Sequence, residues 1–500
     1  MDRDRKSVRV LVVGGGVSAL SVAAFVSQSG YAVTLAPTLA PRGSGLVVAG
    51  NGVRMLSLVG DAVLATGVPS QATTVRDRRG EVVGSEPTPG AIGIAREALE
   101  SALRAASPSV VVRPPAELSA LDASGKAVRV SHGGDAEYDL VIGADGARSR
   151  VRALAFADAP ITDAPFVMTS FVARVDEGAG RILGDGITLA HAPIAPGSSF
   201  VRVVTSVHDG DAHDPRDPKA LAEAVGPAGA ALFASMDEAS LLVSPLVSAM
   251  APRWSTGAVL LVGNAAHPLH PLLDQDPAMS FEDARALEVA LDRGATIAEA
   301  LATFEAMRRE RVTAVHEASW RRAGAAGKKR GFAASFRSVL HRLAPSLWAD
   351  ASAAPFTSES AEIDALVSHR PDLHALTPEA RDLLRFLVKI GQADGRFDRA
   401  EHAFVRAALQ ELGHYVTDAE MTAIEHEVYT RMVRELTKPF RDKPEDVRAR
   451  IFESAVLLAA ESGRIASDEY KALREAAHDL GIPAETHQRL LEEAIAHDKG

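Results

Sequence analysis

The stretch Val8–Leu20, VRVLVVGGGVSAL, decides how the N-terminal part of this chain folds. Val8, Val10, Leu11, Val12 and Val13 form a short apolar run rich in β-branched residues, the composition of a buried strand. Three glycines, Gly14 to Gly16, follow at once. Val17, Ala19, Leu20, Ala23, Ala24 and Val26 then recur at helical spacing as far as Gly30, and Tyr31 to Leu35 read as a second strand. Strand, glycine turn, helix and strand are the setting in which Gly14-x-Gly16-x-x-Ala19 works as a dinucleotide fingerprint. Gly14 permits the tight turn, Gly16 lets the backbone approach a pyrophosphate, and the small Ala19 lets the helix lie close to the strand. The free N–H groups at the helix start then face the phosphates.

Working outward, the totals describe an ordinary globular chain. Its 500 residues suffice for about three domains, with 47% hydrophobic and 24% charged residues. The 54 Lys and Arg against 65 Asp and Glu give a net charge of -11, which argues against a general nucleic-acid binder. There is no cysteine, so disulfides, thiolate nucleophiles and cysteine metal sites are excluded. Arg3, Arg5 and Lys6 before an apolar run have the outline of a signal peptide. Asp2 and Asp4 dilute that charge, however, and the triple glycine breaks the run. No other run reaches the roughly 18 apolar residues of a membrane span, so a cytoplasmic protein is expected.

Further along, Pro37, Pro41, Gly43 and Gly45 mark a loop, Val53 to Val59 a short helix, and Ile92 to Ala106 a longer one. Asp139 to Ala144, DLVIGA, is another apolar strand that turns at Asp145-Gly146. Between about 160 and 250 the segments FVMTSFVARV, ITLAHAPI and FVRVVTSV have strand composition with alternation, which reads as an inserted sheet. Val259 to Val262 is strand again. Phe281, Ala284, Leu287 and Leu291 keep helical spacing, as does Ile297 to His316.

Two later motifs join the fingerprint: GADGARSRVR at 143–152 and VLLVGNAAHPLHP at 259–271. With Arg96 in IAREAL and the ending ALATFEAMRRERV, residues 7–320 resemble the aromatic-hydroxylase type of FAD-dependent monooxygenase, the p-hydroxybenzoate hydroxylase-like family. The resemblance implies an α/β fold: a Rossmann-like FAD-binding domain over 1–320, with an inserted β-sheet substrate domain at about 160–250. It places Gly14, Gly16 and Ala19 along the FAD pyrophosphate and Arg42 of PRGSGL near the flavin. Arg96 would reach the pyrophosphate, where a planar guanidinium suits phosphate oxygens. Asp145-Gly146 would serve FAD and the nicotinamide donor, and Gly263-Asn264 the ribityl chain and pyrophosphate. Pro271 and the start of the next helix would lie beside the isoalloxazine. Taken singly, Arg96 is a surface helix residue and Asp145 a turn former.

Three positions depart from the family pattern. The second strand should end in an acidic residue for the adenosine ribose, about 20 residues past the glycines; Ala36 stands there, with Thr34 or Thr38 as the nearby substitutes. The family's Gly-Asp reads Gly263-Asn264, a mild change because Asn still donates and accepts. The family's Gly-Gln-Gly turn before the last helix reads Asp274-Gln275-Asp276. Two carboxylates there oppose flavin reduction if they face the ring, and leave it untouched if the loop turns them to solvent. His267 and His270 with Asp274 have loop spacing too weak for a metal site.

Residues 321–375 read as a basic amphipathic helix followed by a linker. The stretch 318–349 contains no Asp or Glu, and Phe332, Phe336, Leu340, Leu343 and Leu347 share a helical face. Peripheral membrane contact through 321–348 is one reading, and a helix packed on its own domain is the favoured one. Residues 376–500 form an all-α helical bundle with an internal repeat. Ile390–Gly413 aligns with Leu458–Gly481, matching Gly395 to Gly463, Phe397 to Ile465 and Glu401 to Glu469. This part resembles the TerB-like helical domain of tellurite-resistance and co-chaperone proteins. Its acidic loop, with Asp394, Asp398 and Glu401, offers oxygen ligands to a divalent cation such as calcium. The plainer reading has Asp capping the turn and Glu opening the next helix.

The expectation is thus a flavoenzyme. FAD would be reduced by transient NADH or NADPH and react with oxygen to hydroxylate or oxidise a small aromatic or polyketide-like substrate, through no catalytic side chain that the sequence identifies. The alternative is a degenerate, non-catalytic flavoprotein-fold scaffold whose TerB-like domain binds a protein or membrane-stress partner. Ala36, Asp274 and Asp276 favour the scaffold, whereas Gly14, Gly16, Arg96 and Asp145-Gly146 favour the enzyme.

Overall fold

A computed structural model describes residues 5–39, 43–123, 127–184, 186–207, 214, 216–326, 360–369, 378–395, 397, 401–402, 404–405, 418–460 and 465–497. Arg42, Asp398 and the basic segment from 327 onward lie outside the described residues. The chain divides into two compact units, Met1–His369 and Arg370–Gly500.

The first unit begins with β1 (Arg9–Val13), α1 (Val17–Gln28) and β2 (Ala32–Ala36), as the glycine-centred reading anticipates. Next come β3 (Gly45–Val48), α2 (Gly50–Leu56), β4 (Val68–Asp77), β5 (Val82–Ala95) and α3 (Arg96–Ala105). The short β6 (Val111–Val112), β7 (Leu118–Asp122), β8 (Val128–His132) and β9 (Asp135–Tyr138) precede β10 (Leu140–Gly143) and α4 (Arg150–Ala155). Then follow β11 (Thr162–Ala173), β12 (Gly180–Leu183), β13 (Ile187–Ala195), β14 (Ser198–Ser206), α5 (Pro218–Val225), α6 (Pro227–Ala234) and β15 (Met236–Ser248). The unit ends with β16 (Ser255–Thr256), β17 (Val259–Leu261), α7 (Asp276–Arg293), α8 (Ile297–Ala326) and α9 (Ala361–Ser368).

One sheet has the order β16-β17-β10-β1-β2-β6 and is parallel except at β16. Val10 to Val13 are fully buried, which is why these strands read as continuous apolar runs. The other large sheet has the order β15-β11-β14-β13-β12-β4-β5-β3. This corrects the inserted sheet of 160–250: residues 45–95 supply three of its strands, and Ile92–Ala95 finish β5 rather than opening a helix. The sheet buries one face under α5 and α6, with Phe171, Val201 and Val203 in that core. Its alternate residues face the parallel-sheet domain.

The former linker region also differs. Helix α9 belongs to the first unit: Ile363 and Leu366 are buried in its main core, and α9 packs on α7 and α2. Among the described residues no helix is long and apolar enough to cross a membrane.

The second unit is helical: α10 (Pro378–Gly391), α11 (Asp418–Tyr429), α12 (Val433–Leu436), α13 (Glu445–Ala460), α14 (Ser467–Asp479) and α15 (Ala484–His497) among its described residues. Phe386, Val428, Phe452, Val456 and Leu473 share its core. Positions matched in the repeat behave alike: Phe397 and Ile465 pack on that core, and Glu401 and Glu469 are both buried. Glu469 accepts from the Ala466 N–H at 2.6 Å, the helix-opening role of the plainer reading.

Candidate functional site

Strand β1 lies between β2 and β10, so successive connections leave it in opposite directions and open a crevice at its carboxyl end. Gly14 sits there at φ +136, and a Cβ on it would come within 2.4 Å of the Ala144 carbonyl oxygen. Its N–H donates to Ala36 O at 2.9 Å. Gly16 is extended, and no side chain caps the start of α1. The first N–H groups of that helix, at its positive end, are therefore left for a ligand. Gly263, at φ +54, comes close by: a Cβ there would stand 2.8 Å from both Ser18 Oγ and Ser280 Oγ.

Ser18 Oγ and Asn264 Oδ1 are buried without a protein partner. Such atoms are costly unless something bonds them. Backbone N–H groups at a helix start, beside a hydroxyl and an amide oxygen lacking partners, match the acceptors and hydroxyls of a pyrophosphate joined to a polyol. The residues present fit that part of FAD.

The flanking motifs are built around this crevice. Asp145 Oδ2 accepts from the N–H groups of Arg150 at 2.7 Å and Val151 at 3.1 Å, and Oδ1 accepts from Ser149 Oγ. Burial pushes its carboxyl up against the pull of those bonds. Asp145 therefore holds the start of α4, while Gly146, at φ +86, makes the turn. Arg152, which the sequence reading passed over within the same motif, is buried and donates to Ala265 O at 2.7 Å and to Ala147 O. It fastens α4 to the Gly263 turn. Arg96 opens α3, with its N–H on Ser44 O at 3.0 Å and its Nε on Gly43 O. Pro271 opens a 3-10 turn, Pro271–Leu273, and its carbonyl accepts from Arg202 at 3.3 Å.

Behind the crevice, α7 carries a buried ionic network that its apolar spacing did not signal. Asp283 Oδ2 accepts from the Gly263 N–H at 2.9 Å and meets His267 Nε2 at 2.7 Å. Arg308 reaches Asp283 at 2.9 Å, Glu282 at 2.8 Å and Glu362 of α9 at 2.7 Å. Arg311 forks onto both Glu282 oxygens at 2.8 Å, and Asn51 donates to Glu282 at 2.7 Å. Burial alone would raise the Asp283 carboxyl, but His267 and Arg308 beside it hold it at about 2. His267 is thus engaged with Asp283, and among the described residues no group of His, Asp and Glu is arranged to hold a metal.

Residues 7–319 match the profile of the FAD binding domain family. The chain belongs to this family. A 3-amino-4-hydroxybenzoate 2-monooxygenase of Streptomyces cremeus is 31% identical over 356 residues, covering 63% of this chain and 86% of that protein. The aurachin C monooxygenase/isomerase of Stigmatella aurantiaca is 26% identical over 371 residues, 69% of this chain and 97% of that protein. A 2-heptyl-3-hydroxy-4(1H)-quinolone synthase of Pseudomonas aeruginosa is 28% identical over 339 residues, 62% of this chain and 87% of that protein. Among solved structures, Klebsiella pneumoniae HpxO complexed with FAD and uric acid shares the fold, with a TM-score of 0.62 at 21% identity, over 73% of this chain and 98% of that one.

As a member of the FAD-binding family, the chain treats its departures in a way neither sequence alternative foresaw. Asp274 has φ 57, the one non-glycine residue at positive φ among the described residues, so it keeps the backbone shape that glycine would give. Its carboxylate faces neither solvent nor α7. It pairs with Arg202 of β14 and, at 3.3 Å, with Arg181 of β12. Burial pushes this carboxyl up, but Arg202 and Arg181 hold it below its usual range. Asp276 is the first residue of α7 and accepts from the Asn264 side chain; burial raises it despite His267, Arg96 and Arg202 nearby. Ala36 is buried, and the end of β2 offers half-buried Thr34 and Thr38 where an acid is usual.

Proposed function

We propose that this chain is a FAD-dependent monooxygenase that takes electrons from NADH or NADPH and oxidises a small aromatic compound held between the large antiparallel sheet and the loop 270–274. The observation that carries the reading is the convergence of the uncapped α1 start with the unpartnered Ser18 Oγ and Asn264 Oδ1 at the Gly263 turn. The names of the aligned monooxygenases support it.

Bound FAD supplies the redox chemistry between nicotinamide, oxygen and substrate. The chain's own residues bind, orient and exclude water. The α1 start, Ser18 and Asn264 take the pyrophosphate and ribityl groups, with Arg96 close by. Asp283, locked by Arg308, fixes the Gly263 N–H and hence the turn. The N-terminus of α7 directs its positive end at the flavin. Asp276 stands at that end and accepts from the Asn264 side chain. His270 is held neutral by burial, with a pKa of about 3, so the loop presents it as an uncharged ring.

The C-terminal unit is proposed as a TerB-like docking module for a protein partner, with Glu401 opening a helix as Glu469 does rather than holding a cation. The test of the main reading is oxygen uptake with NADH and NADPH oxidation by the FAD-loaded chain across a panel of aromatic acids and quinolones. Stimulation by one of them is expected. Failure of every donor to reduce the bound flavin, with or without a compound from the panel, contradicts the monooxygenase reading.

A further inference from the structure

The three side chains of the turn Asp274-Gln275-Asp276 are tied to three different elements. Asp274 pairs with Arg202 of β14 and Arg181 of β12. Gln275 is buried, and its Oε1 accepts from Asn51 of α2 at 3.0 Å. Asp276, the first residue of α7, accepts from the side chain of Asn264 in the Gly263 turn. Burial pushes the Asp276 carboxyl up, and the bond from Asn264 is foremost among the pulls the other way.

The two amides engaged here are held differently. Asn51 Nδ2 is shared by Gln275 and Glu282, so its orientation does not depend on the turn alone. Asn264 turns its Nδ2 to Asp276, and its Oδ1 is buried without a protein partner, as is the nearby Ser18 Oγ. An amide offers donors on one side and an acceptor on the other, whereas an ionised carboxylate only accepts. A carboxylate at 276 therefore fixes which side of Asn264 is spent within the protein and which is left over: the leftover is an acceptor. An acid at 264 beside a glycine at 276 leaves an acceptor too. This chain departs from that pattern at both positions together, with the carboxylate moved to the other member of the pair.

We propose that Asp276 is a positioning residue for the cofactor: it holds the Asn264 amide so that Oδ1 accepts from a ribityl hydroxyl of FAD, and the pair thereby does the work of an acid at 264 facing a glycine. The inference rests on the flavoenzyme reading. It makes the two departures compensate each other, so that each is harmful without its partner. Asn264→Asp alone sets two carboxylates side by side, where like charges oppose each other. Asp276→Ala alone leaves the amide free to turn its donors toward the cofactor. Exchanging the two residues restores one amide N–H on one carboxylate, with the second carboxylate oxygen free to accept.

The test is calorimetric titration of the flavin-free full chain with FAD, alongside denaturant unfolding of each flavin-free variant. Asn264→Asp weakens FAD binding at least about ten-fold, and Asp276→Ala about ten-fold. Asp276→Asn, whose amide oxygen accepts as the carboxylate does, stays within about three-fold of the native chain. The exchange, Asn264→Asp with Asp276→Asn, also recovers FAD binding to within about three-fold, a coupling that a merely structural role for Asp276 does not produce. Should Asn264→Asp not fold, the contrast of Asp276→Ala with Asp276→Asn decides. An exchange that recovers nothing over Asn264→Asp, an Asp276→Ala variant that keeps native FAD affinity, or an Asp276→Ala loss matched by a fall in flavin-free stability overturns the proposal. A native chain that takes up no FAD contradicts the flavoenzyme reading and this inference with it, whereas FAD binding by the native chain without recovery in the exchange overturns this inference alone.

Discussion

Two charge clusters flank the turn that opens α7, and they differ in burial. Behind α7, Arg308 has no exposed side-chain surface and is ringed by Glu282, Asp283 and Glu362, while Arg311 and His267 complete the set. In front, Arg181, Arg202 and Arg322 share Glu86 and Asp274, whose side chains are 29% and 20% exposed; one buried polar atom lacks a protein partner there, Arg181 Nε, as do Asn51 Oδ1 and His267 Nδ1 behind. A closed buried network fixes geometry, because removing one member strands another charge. The front cluster, with its two carboxylates partly exposed, is held less rigidly. The difference teaches that charge inside this protein has two settings, and that Asp274, which looks disruptive in sequence, belongs to the front cluster.

The largest effect expected is in the closed network. Arg308→Met takes the guanidinium away from Glu282, Asp283 and Glu362 and lowers stability by about 3–5 kcal/mol in denaturant unfolding. A loss near zero would make the network dispensable and remove the contrast. Acid sharpens it next. The Asp283 carboxyl sits at about 2 in the folded chain, against roughly 4 when unfolded. Its contribution, about 2 kcal/mol, is therefore fully present above pH ~4 and disappears as pH falls toward 2. Unfolding followed from neutral pH downward should show Asp283→Asn less stable than the native chain, with the gap closing below about pH 4. A gap independent of pH would mean the carboxylate is not held this way.

The open cluster responds less in stability. Asp274→Gly loses the ion pairs to Arg202 and Arg181, leaves Arg181 its pair with Glu86, and relieves a non-glycine residue at positive φ, so its net change is about 1 kcal/mol or less. A loss like that of Arg308→Met would make the front cluster as structural as the rear one. Smallest of all, the Arg54–Asp364 pair between α2 and α9 lies at the surface, with side chains 33% and 59% exposed. Arg54→Ala should cost about 0.5 kcal/mol or less, read from the same unfolding curves.

The parallel sheet was legible because strands buried on both faces are written as unbroken apolar runs, and Gly14 to Gly16 fixed where the first one ends. Strands β4 and β5 were not: they mix Ser, Thr, Arg and Glu, and β4 joins the rest of its sheet through β12, far down the chain. Asp274 was legible as a departure, yet its partners Arg202 and Arg181 stand 72 and 93 residues away on strands whose register no local pattern states. Arg308 and Arg311 in EAMRRERV look like the solvated face of a helix; only the packing of α8 on α7 turns them inward. Helix α9 was lost in a linker because its eight residues carry little periodicity of their own.

The most direct test of the account is an absorbance spectrum of the purified full chain in the near-ultraviolet and visible, taken after loading with FAD and desalting. Retained flavin bands are the result it predicts, since the α1 start, Ser18 and Asn264 then have the partner they lack among themselves. A colourless protein would contradict it, and would mean that Ala36 and the aspartates around Gln275 mark a site that no longer holds the cofactor.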